Sequence, residues 1–262
     1  MKEINERPIF EHVSELRNRV IRVFVVVILI SSFVFIFSIQ NIEIRGISVP
    51  IPYPDIYNNS AARLISMLQD LVLPSYVDII LTTPGQALSA QIYVSLLVGI
   101  VVSMPLILWQ ISAFVKPGLH RKEIKLLRNL LIPASLLFFI GSFFSLRIMI
   151  PTTLEFLYRY GLSLRAETLI TINEFISFII FFILAFGIAF QLPIIMWLLT
   201  KLEIVKSEVW KENWRYTFII LVILGAIITP DASGVTMWLI TLPMMALYII
   251  GYLTTRSIKQ ET

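Results

Sequence analysis

The hydrophobic residues of this chain are concentrated in six long blocks, and this arrangement limits what the chain can fold into. Apolar residues make up 57% of its 262 positions, and the mean hydropathy is +0.85. A helix crosses a bilayer core about 30 Å thick with roughly 20 apolar residues, whereas a barrel strand needs only about 9–11. Because backbone polar groups must be satisfied internally in lipid, runs of this length predict helices. The sequence therefore predicts an all-α polytopic membrane protein, with one membrane domain over residues 1–262.

The six blocks give the expected positions of the transmembrane helices. They cover residues 20–39, 87–114, 126–150, 175–199, 216–228 and 235–253. Proline lies inside four of them, which favours bent helices and a concave shape rather than a straight bundle. These prolines are Pro105, Pro133, Pro193 and Pro243.

The fifth block is short for a membrane crossing. Its 13 residues give about 20 Å of helix, against about 30 Å of hydrocarbon. Two interpretations remain open. Either the helix is short, so that it thins the bilayer or is covered by a partner helix, or it begins near Ser207 and projects into the cytoplasm.

The positive charge is distributed unequally between the two sides of the predicted membrane. Sixteen of the 21 Lys and Arg residues fall in the N-terminal segment, the connections after the second and fourth blocks and the C-terminal tail, or at the adjoining ends of the blocks. The positive-inside rule places these segments in the cytoplasm, so both termini are predicted to be cytoplasmic. Two termini on one side require an even number of crossings, as six is. The net charge of +4 reflects this topology and gives no evidence of nucleic-acid binding.

The first connection on the outer side, residues 40–86, is long enough to hold structure of its own. Residues 50–54 read PIPYP, which excludes a helix there. Residues 61–73 place Leu64, Met67, Leu68 and Leu71 at helical spacing. We therefore predict an amphipathic helix that lies over the outer face.

The sequence lacks the signatures of catalysis. It has no cysteine, only two histidines, and no P-loop, HExxH or GxSxG motif. The sequence predicts that the protein is not an enzyme and holds no metal or cofactor. Any work on a substrate must therefore be driven from outside this chain.

Two carboxylates near the cytoplasmic side are candidate binding residues. Glu15 precedes the first block, and Glu123 lies between the second and third. The simpler interpretation gives Glu15 an i,i+4 pair with Arg19 and makes Glu123 a balance for nearby cations. In the alternative, the two carboxylates share one face and bind a guanidinium ligand bidentately.

Few polar residues interrupt the apolar blocks. Gln191 lies near the middle of the fourth block, where the default role of an amide is a hydrogen bond between helices. A secondary transporter of a small solute is the alternative function. It would require ionisable groups at mid-membrane, and the central stretches of blocks 1, 2, 4 and 6 have none.

Several short segments in fixed order resemble one known family. They are HVSELRNR at residues 12–19, SMP at 103–105, WQISAFVKPGL at 109–119 leading to Glu123, FGIAFQLP at 186–193, WRY at 214–216 and TPD at 229–231. Together they resemble TatC, the multispanning subunit of the twin-arginine protein translocase, from about Pro8 to Arg256.

The resemblance implies a fold and a function. TatC proteins form a glove-like, concave structure of six helices in the cell membrane, with both termini cytoplasmic. They bind the twin-arginine signal peptides of folded precursor proteins. With the single-span partners TatA and TatB, and in a complex expected to be homo-oligomeric, they export these precursors using the proton-motive force.

The resemblance also assigns roles to particular residues. Glu15 and Glu123 match the signal-peptide carboxylates of the family, and Arg17 and Phe114 match positions in the same recognition region. A second group matches positions that dock partners or have a structural role: Pro74, Pro105, Gln191, Thr229 and Asp231. The chain departs from the family at Gln191, where many relatives carry glutamate, because glutamine cannot titrate. It also lacks the glutamine common near Met237, where Thr236 supplies some polarity.

Overall fold

The structure is a computed structural model that describes residues 9–44, 47–163, 168–229 and 234–258. Most of these residues are helical. The helices are α1 (Ile9–Ile36), α2 (Ser60–Val72), α3 (Gln86–Val102), α4 (Met104–Val115), α5 (Arg121–Phe144), α6 (Ile150–Ser163), α7 (Ile172–Ala189), α8 (Leu192–Lys201), α9 (Ser207–Glu212), α10 (Trp214–Ile228) and α11 (Val235–Arg256). The strands are β1 (Phe37–Ile44), β2 (Ile47–Pro54), β3 (Asp78–Ile80) and β4 (Leu169–Thr171).

The all-α prediction is wrong for the segment that follows α1. The first helix ends at Ile36 rather than at residue 39, and β1 begins at the next residue. β1 pairs antiparallel with β2, from Phe37 opposite Pro54 to Ile44 opposite Ile47. Alternate residues of a strand direct their N–H groups to the same edge. The prolines at 50, 52 and 54 therefore leave one edge without donors, while the other edge remains able to pair with β1.

The rest of the outer connection contains the predicted amphipathic helix. α2 covers Ser60–Val72, close to the predicted residues 61–73. It buries Ala61, Ile65 and Val72 rather than the predicted apolar face, on which Met67 is exposed. β3 follows and pairs in parallel with β4, with Asp78 opposite Leu169. This pair is anchored by a backbone hydrogen bond from the amide of Asp78 to the carbonyl of Thr168 (3.1 Å).

The second block forms two helices rather than one. α3 ends at Val102 and α4 begins at Met104, with a bend of 53° at the break. Pro105 occupies the first turn of α4, where its missing N–H group costs nothing. The bend that Pro105 predicts is therefore present, and it takes the form of a complete break at Ser103.

The third block is much longer than predicted. α5, a π-helical turn at Ser145–Met149 and α6 form one helical stretch, Arg121–Ser163, of 43 residues. This stretch measures about 64 Å, roughly twice the thickness of a hydrocarbon core. The predicted end at residue 150 is wrong because the helix continues where the sequence becomes amphipathic rather than apolar.

The fourth block supplies many of the buried hydrophobic side chains of the structure. α7 and α8 together cover Ile172–Lys201, against a predicted 175–199, and are separated at Phe190 and Gln191. Phe175, Phe182 and Phe186 of α7 are fully buried. α7 begins with a capping box in which Thr171 and Glu174 exchange hydrogen bonds.

The last two blocks settle where the short fifth helix begins. α10 covers Trp214–Ile228, only 15 residues, and α9 is a separate helix that ends before Asn213. The interpretation in which one helix runs from Ser207 to residue 228 is therefore wrong. α11 covers Val235–Arg256, close to the predicted 235–253, and follows Gly234 in a left-handed conformation (φ +70°).

Within the described residues, four helical stretches are long and apolar enough to cross a membrane. There are five if the bent pair of α3 and α4 counts as one crossing, and α10 is a shorter apolar helix. The described residues form two compact units. The first comprises the described residues up to Ala61 together with Ser95–Ser135, and the second comprises Ala62–Val94 together with the described residues from Leu136 onward.

Candidate functional site

The first candidate carboxylate, Glu15, is held by an arginine on its own helix. Glu15 and Arg19 are one turn apart on α1 and share a face. The Nε and Nη2 groups of Arg19 both donate to Oε1 of Glu15, at 3.2 and 2.5 Å. This ion pair confirms the i,i+4 contact predicted from the sequence.

The same guanidinium also contacts a second helix. Nη1 of Arg19 donates to Oε1 of Gln110 on α4 at 3.1 Å. Gln110 is buried, so its amide oxygen depends on partners within the protein. Arg19 therefore links α1 to α4 inside the first unit. Local spacing could not predict this contact, because its partners are 91 residues apart. The one sequence feature that could have indicated this contact is Gln110 itself, an amide side chain within an otherwise apolar run.

The Glu15–Arg19 pair remains accessible to a ligand. The side chain of Glu15 is 23% exposed and that of Arg19 is 19% exposed. Phe114 lies one turn after Gln110 on α4, on the same helix face, and is partly exposed. The site thus combines a reachable carboxylate with an aromatic residue on the adjacent helix.

Arg17 is not part of this contact. It lies two residues from both Glu15 and Arg19, which places it about 200° around α1 from either one. Its side chain is exposed. The structure therefore places Arg17 on the same helix as Glu15 but on a different face.

The second candidate carboxylate, Glu123, lies at the start of α5. Oε2 of Glu123 accepts a hydrogen bond from the backbone N–H of His120 at 2.6 Å. A carboxylate in the first turn also interacts favourably with the positive end of the helix dipole. Glu123 therefore has a structural role that sequence reasoning missed, although glutamate three residues after a helix start is a recognisable capping signal. Glu123 and Glu15 belong to the same compact unit.

Exposed cations surround this part of the unit. Five Lys and Arg side chains between α4 and the second turn of α5 are exposed: Lys116, Arg121, Lys122, Lys125 and Arg128. Within the described ranges, no three His, Asp or Glu side chains are arranged to hold a metal ion. The described side chains here are thus two partly exposed carboxylates, Glu15 and Glu123, and a group of exposed cations.

The other predicted residues lie at turns, at helix starts or ends, or outside the described part of the chain. Pro105 begins α4, and Pro74 begins a turn in which its carbonyl accepts from the amide of Val77 (3.0 Å). Gln191 is buried at the break between α7 and α8, where its Nε2 lies 3.5 Å from the carbonyl of Gly187. Thr229 is buried at the end of α10 and donates to the carbonyl of Gly225 (3.1 Å). Asp231 lies outside the described residues.

Comparison with known proteins gives a consistent result along almost the whole chain. Residues 11–243 match the family described as Sec-independent protein translocase protein (TatC). A TatC protein of Cenarchaeum symbiosum is 40% identical over 95% of this chain and 94% of its own length. A TatC protein of Aquifex aeolicus is 32% identical over 97% and 98%, respectively.

Solved structures agree with this result. A crystal structure of the twin-arginine translocase receptor TatC superposes with a TM-score of 0.76 at 29% identity, covering 94% of this chain and 98% of the other. A second, of the same receptor in DDM, has a TM-score of 0.75 at 31% identity, covering 92% and 98%. By sequence and by fold, this chain belongs to the TatC family of Sec-independent protein translocase proteins.

Proposed function

We propose that this protein is the receptor subunit of a twin-arginine translocase and binds the twin-arginine signal peptides of folded precursors. The observation that carries the proposal is the match to TatC over residues 11–243, together with the structural match to two solved structures of the twin-arginine translocase receptor TatC. The partly exposed Glu15 carboxylate at the α1–α4 contact supports the same conclusion. The family match does not favour the transport of a small solute.

Recognition rests on the match between carboxylate and guanidinium. Arginine stays charged, and its planar fork donates two parallel hydrogen bonds to a carboxylate, whereas lysine offers a point charge without the fork. Glu15 and Glu123 are the ligands in this proposal. Phe114 contacts residues that flank the arginine pair, and the family resemblance also assigns Arg17 to recognition, from another face of α1.

The proposed topology has six crossings with both termini in the cytoplasm. It comprises the four long helical stretches, the bent pair α3–α4 and the short α10. The distribution of Lys and Arg supports the orientation. In this proposal the chain is a concave, glove-like protein of the cell membrane.

Export requires partners, because the chain carries no nucleotide-binding motif. We assign this role to single-span TatA/TatB-type proteins, to further copies of this chain and to the proton-motive force. Gln191, Thr229 and Asp231, with the turns at Pro74 and Pro105, are the candidate docking or structural positions. Gln191 is uncharged at any pH, so it contributes hydrogen bonding rather than proton transfer.

Binding of a labelled twin-arginine signal peptide to the full-length protein in lipid nanodiscs tests the proposal. We expect Glu15→Gln and Glu123→Gln each to weaken binding about 10- to 100-fold, since a hydrogen bond to a charged group contributes about 1.5–3 kcal/mol. A twin-lysine version of the peptide should bind the wild-type protein about tenfold more weakly, because it lacks the bidentate geometry.

Glu155→Gln is the matched control. Glu155 forms the same type of i,i+4 pair, with Arg159 at 2.6 Å, but lies on α6 in the second unit. Its replacement should leave peptide binding unchanged. Wild-type affinity in both Glu15→Gln and Glu123→Gln would contradict the assignment of the site.

A further inference from the structure

We propose that Arg19 is an intramolecular competitor of the signal peptide, occupying the Glu15 carboxylate until a peptide arginine displaces it. This inference rests on the proposed function of Glu15. The supporting observation is that Arg19 donates two hydrogen bonds to Oε1 of Glu15, from Nε at 3.2 Å and from Nη2 at 2.5 Å. The resting protein therefore already presents to Glu15 the chemical group that the carboxylate is proposed to recognise.

Gln110 makes the exchange possible. Nη1 of Arg19 donates to Gln110 on α4 at 3.1 Å, so the guanidinium has an acceptor other than Glu15. When Arg19 gives up its two bonds to the carboxylate, it keeps the bond to the buried amide. The displaced guanidinium thus keeps a hydrogen-bond acceptor, and its 19% exposure keeps it in contact with water, so it is not buried without any partner.

The partial exposure of the pair fits a displaceable contact. With 19% of Arg19 and 23% of Glu15 exposed, an incoming guanidinium reaches the carboxylate without unfolding α1. Exposed ion pairs contribute little stability, and a partly exposed pair is correspondingly easy to exchange. A fully buried pair would instead be costly to break.

Competition has a defined thermodynamic consequence. Every ligand that uses Glu15 must displace the same internal guanidinium, so the competitor lowers the affinity for all of them by one common factor. Arg19 thereby keeps weakly interacting cationic segments below the affinity needed for binding. Removal of Arg19 should strengthen the binding of twin-arginine and twin-lysine peptides equally.

The test is a double-mutant cycle in the same nanodisc assay. We expect Arg19→Gln to tighten twin-arginine peptide binding about 3- to 10-fold, because it removes the guanidinium that occupies Oε1 of Glu15. In the Glu15→Gln background the same change should have an effect within about twofold, because no carboxylate remains to compete for. A merely structural link between α1 and α4 predicts weaker binding in both backgrounds.

Arg22→Gln controls for the loss of one positive charge. Arg22 lies on α1 one turn beyond Arg19 and is exposed, and its replacement should change affinity less than about twofold. If Arg22→Gln tightened peptide binding as much as Arg19→Gln does, the effect would come from general charge repulsion, and the proposal would be overturned.

Arg19→Lys covers the case in which Arg19→Gln fails to fold, as judged by thermal unfolding. The ammonium keeps the charge but loses the fork, so binding should tighten by a smaller factor. Unchanged or weaker binding in the folded Arg19 variant, with Glu15→Gln still impaired, overturns the competitor role alone. Wild-type binding in Glu15→Gln overturns the proposed function of that carboxylate instead.

Discussion

Gly99 allows α3 to approach α1 more closely than any other residue would. A Cβ atom at this position would lie 2.8 Å from the backbone carbonyl oxygen of Val27 and would overlap the hydroxyl of Ser31. Ser31 cannot easily give way, because its hydroxyl donates to the same Val27 carbonyl at 2.7 Å. Small residues at such crossings allow close van der Waals packing. This packing drives helix association in lipid, where no hydrophobic effect acts between helices.

Replacing Gly99 should therefore destabilise the first unit. We expect Gly99→Ala to cost about 1–3 kcal/mol, the usual range for overpacking against atoms that cannot move. The measurement is the thermal unfolding midpoint of the detergent-solubilised protein. Gly85→Ala is the matched control, since nothing lies within 4 Å of a Cβ there. Equal midpoints for the two variants would show that the crossing is not tightly packed.

Local residue spacing predicted one of the two contacts made by Arg19. The pair with Glu15 follows from i,i+4 geometry and needs no knowledge of the fold. The contact with Gln110 depends on how α1 and α4 pack, which no local pattern contains. The capping role of Glu123 was predictable in principle, because it depends only on the start of α5.

At the scale of helices and strands, hydrophobicity predicted where the helices lie better than where they break. The blocks predicted the end of α1, the start of α7 and both ends of α11 to within three residues, whereas α1 begins 11 residues before the predicted residue 20. Hydropathy does not respond to a change of backbone direction, so it could not separate α3 from α4 or α9 from α10. The parallel pair β3–β4 joins residues about 90 positions apart, and its three-residue strands have no periodicity to detect.

α10 is the element whose length has the clearest consequence. Its 15 residues give about 22 Å of helix, shorter than the hydrocarbon core. Its apolar side chains at Ile219, Ile220, Ile223 and Ile227 are exposed, so they face lipid or a partner within the membrane. The bilayer beside this helix should therefore be thinner than elsewhere.

Nitroxide depth profiling tests this expectation, and the cysteine-free sequence permits single labels without a background. Labels at Tyr216, Ile220, Ile223 and Ile227 should show oxygen accessibility that peaks in the middle and falls to interfacial values at both ends. Labels at Phe181, Ile188 and Ile195, exposed on the longer α7–α8 stretch, are the control and should show a wider maximum. A maximum equally wide along α10 would contradict local thinning.

At the scale of the whole molecule, the proposed topology of six crossings with cytoplasmic termini makes a testable statement about which segments lie on which side. Six crossings with cytoplasmic termini require that the chain alternate sides in a fixed order. Residues that follow an odd number of crossings must therefore lie outside, and those that follow an even number must lie inside.

Labelling of single cysteines with an impermeant maleimide in intact cells tests this order. Tyr57→Cys, at a position 87% exposed after the hairpin, should react from outside. Lys122→Cys and Ser257→Cys, at exposed positions after the second and sixth crossings, should react only after the cells are lysed. Reaction of positions 57 and 257 from the same side would contradict an even number of crossings.

The attachment of the β1–β2 hairpin to α1 has a mechanical consequence. No linker separates Ile36 from Phe37, and the amide of Asp55, just past β2, donates to the carbonyl of Ile36 at 3.0 Å. Both strands of the hairpin are thus connected to the C-terminal end of α1, one covalently and one by a hydrogen bond. Glu15 lies near the other end of the same helix. We therefore expect a force on the hairpin to be transmitted to α1, the helix that carries Glu15.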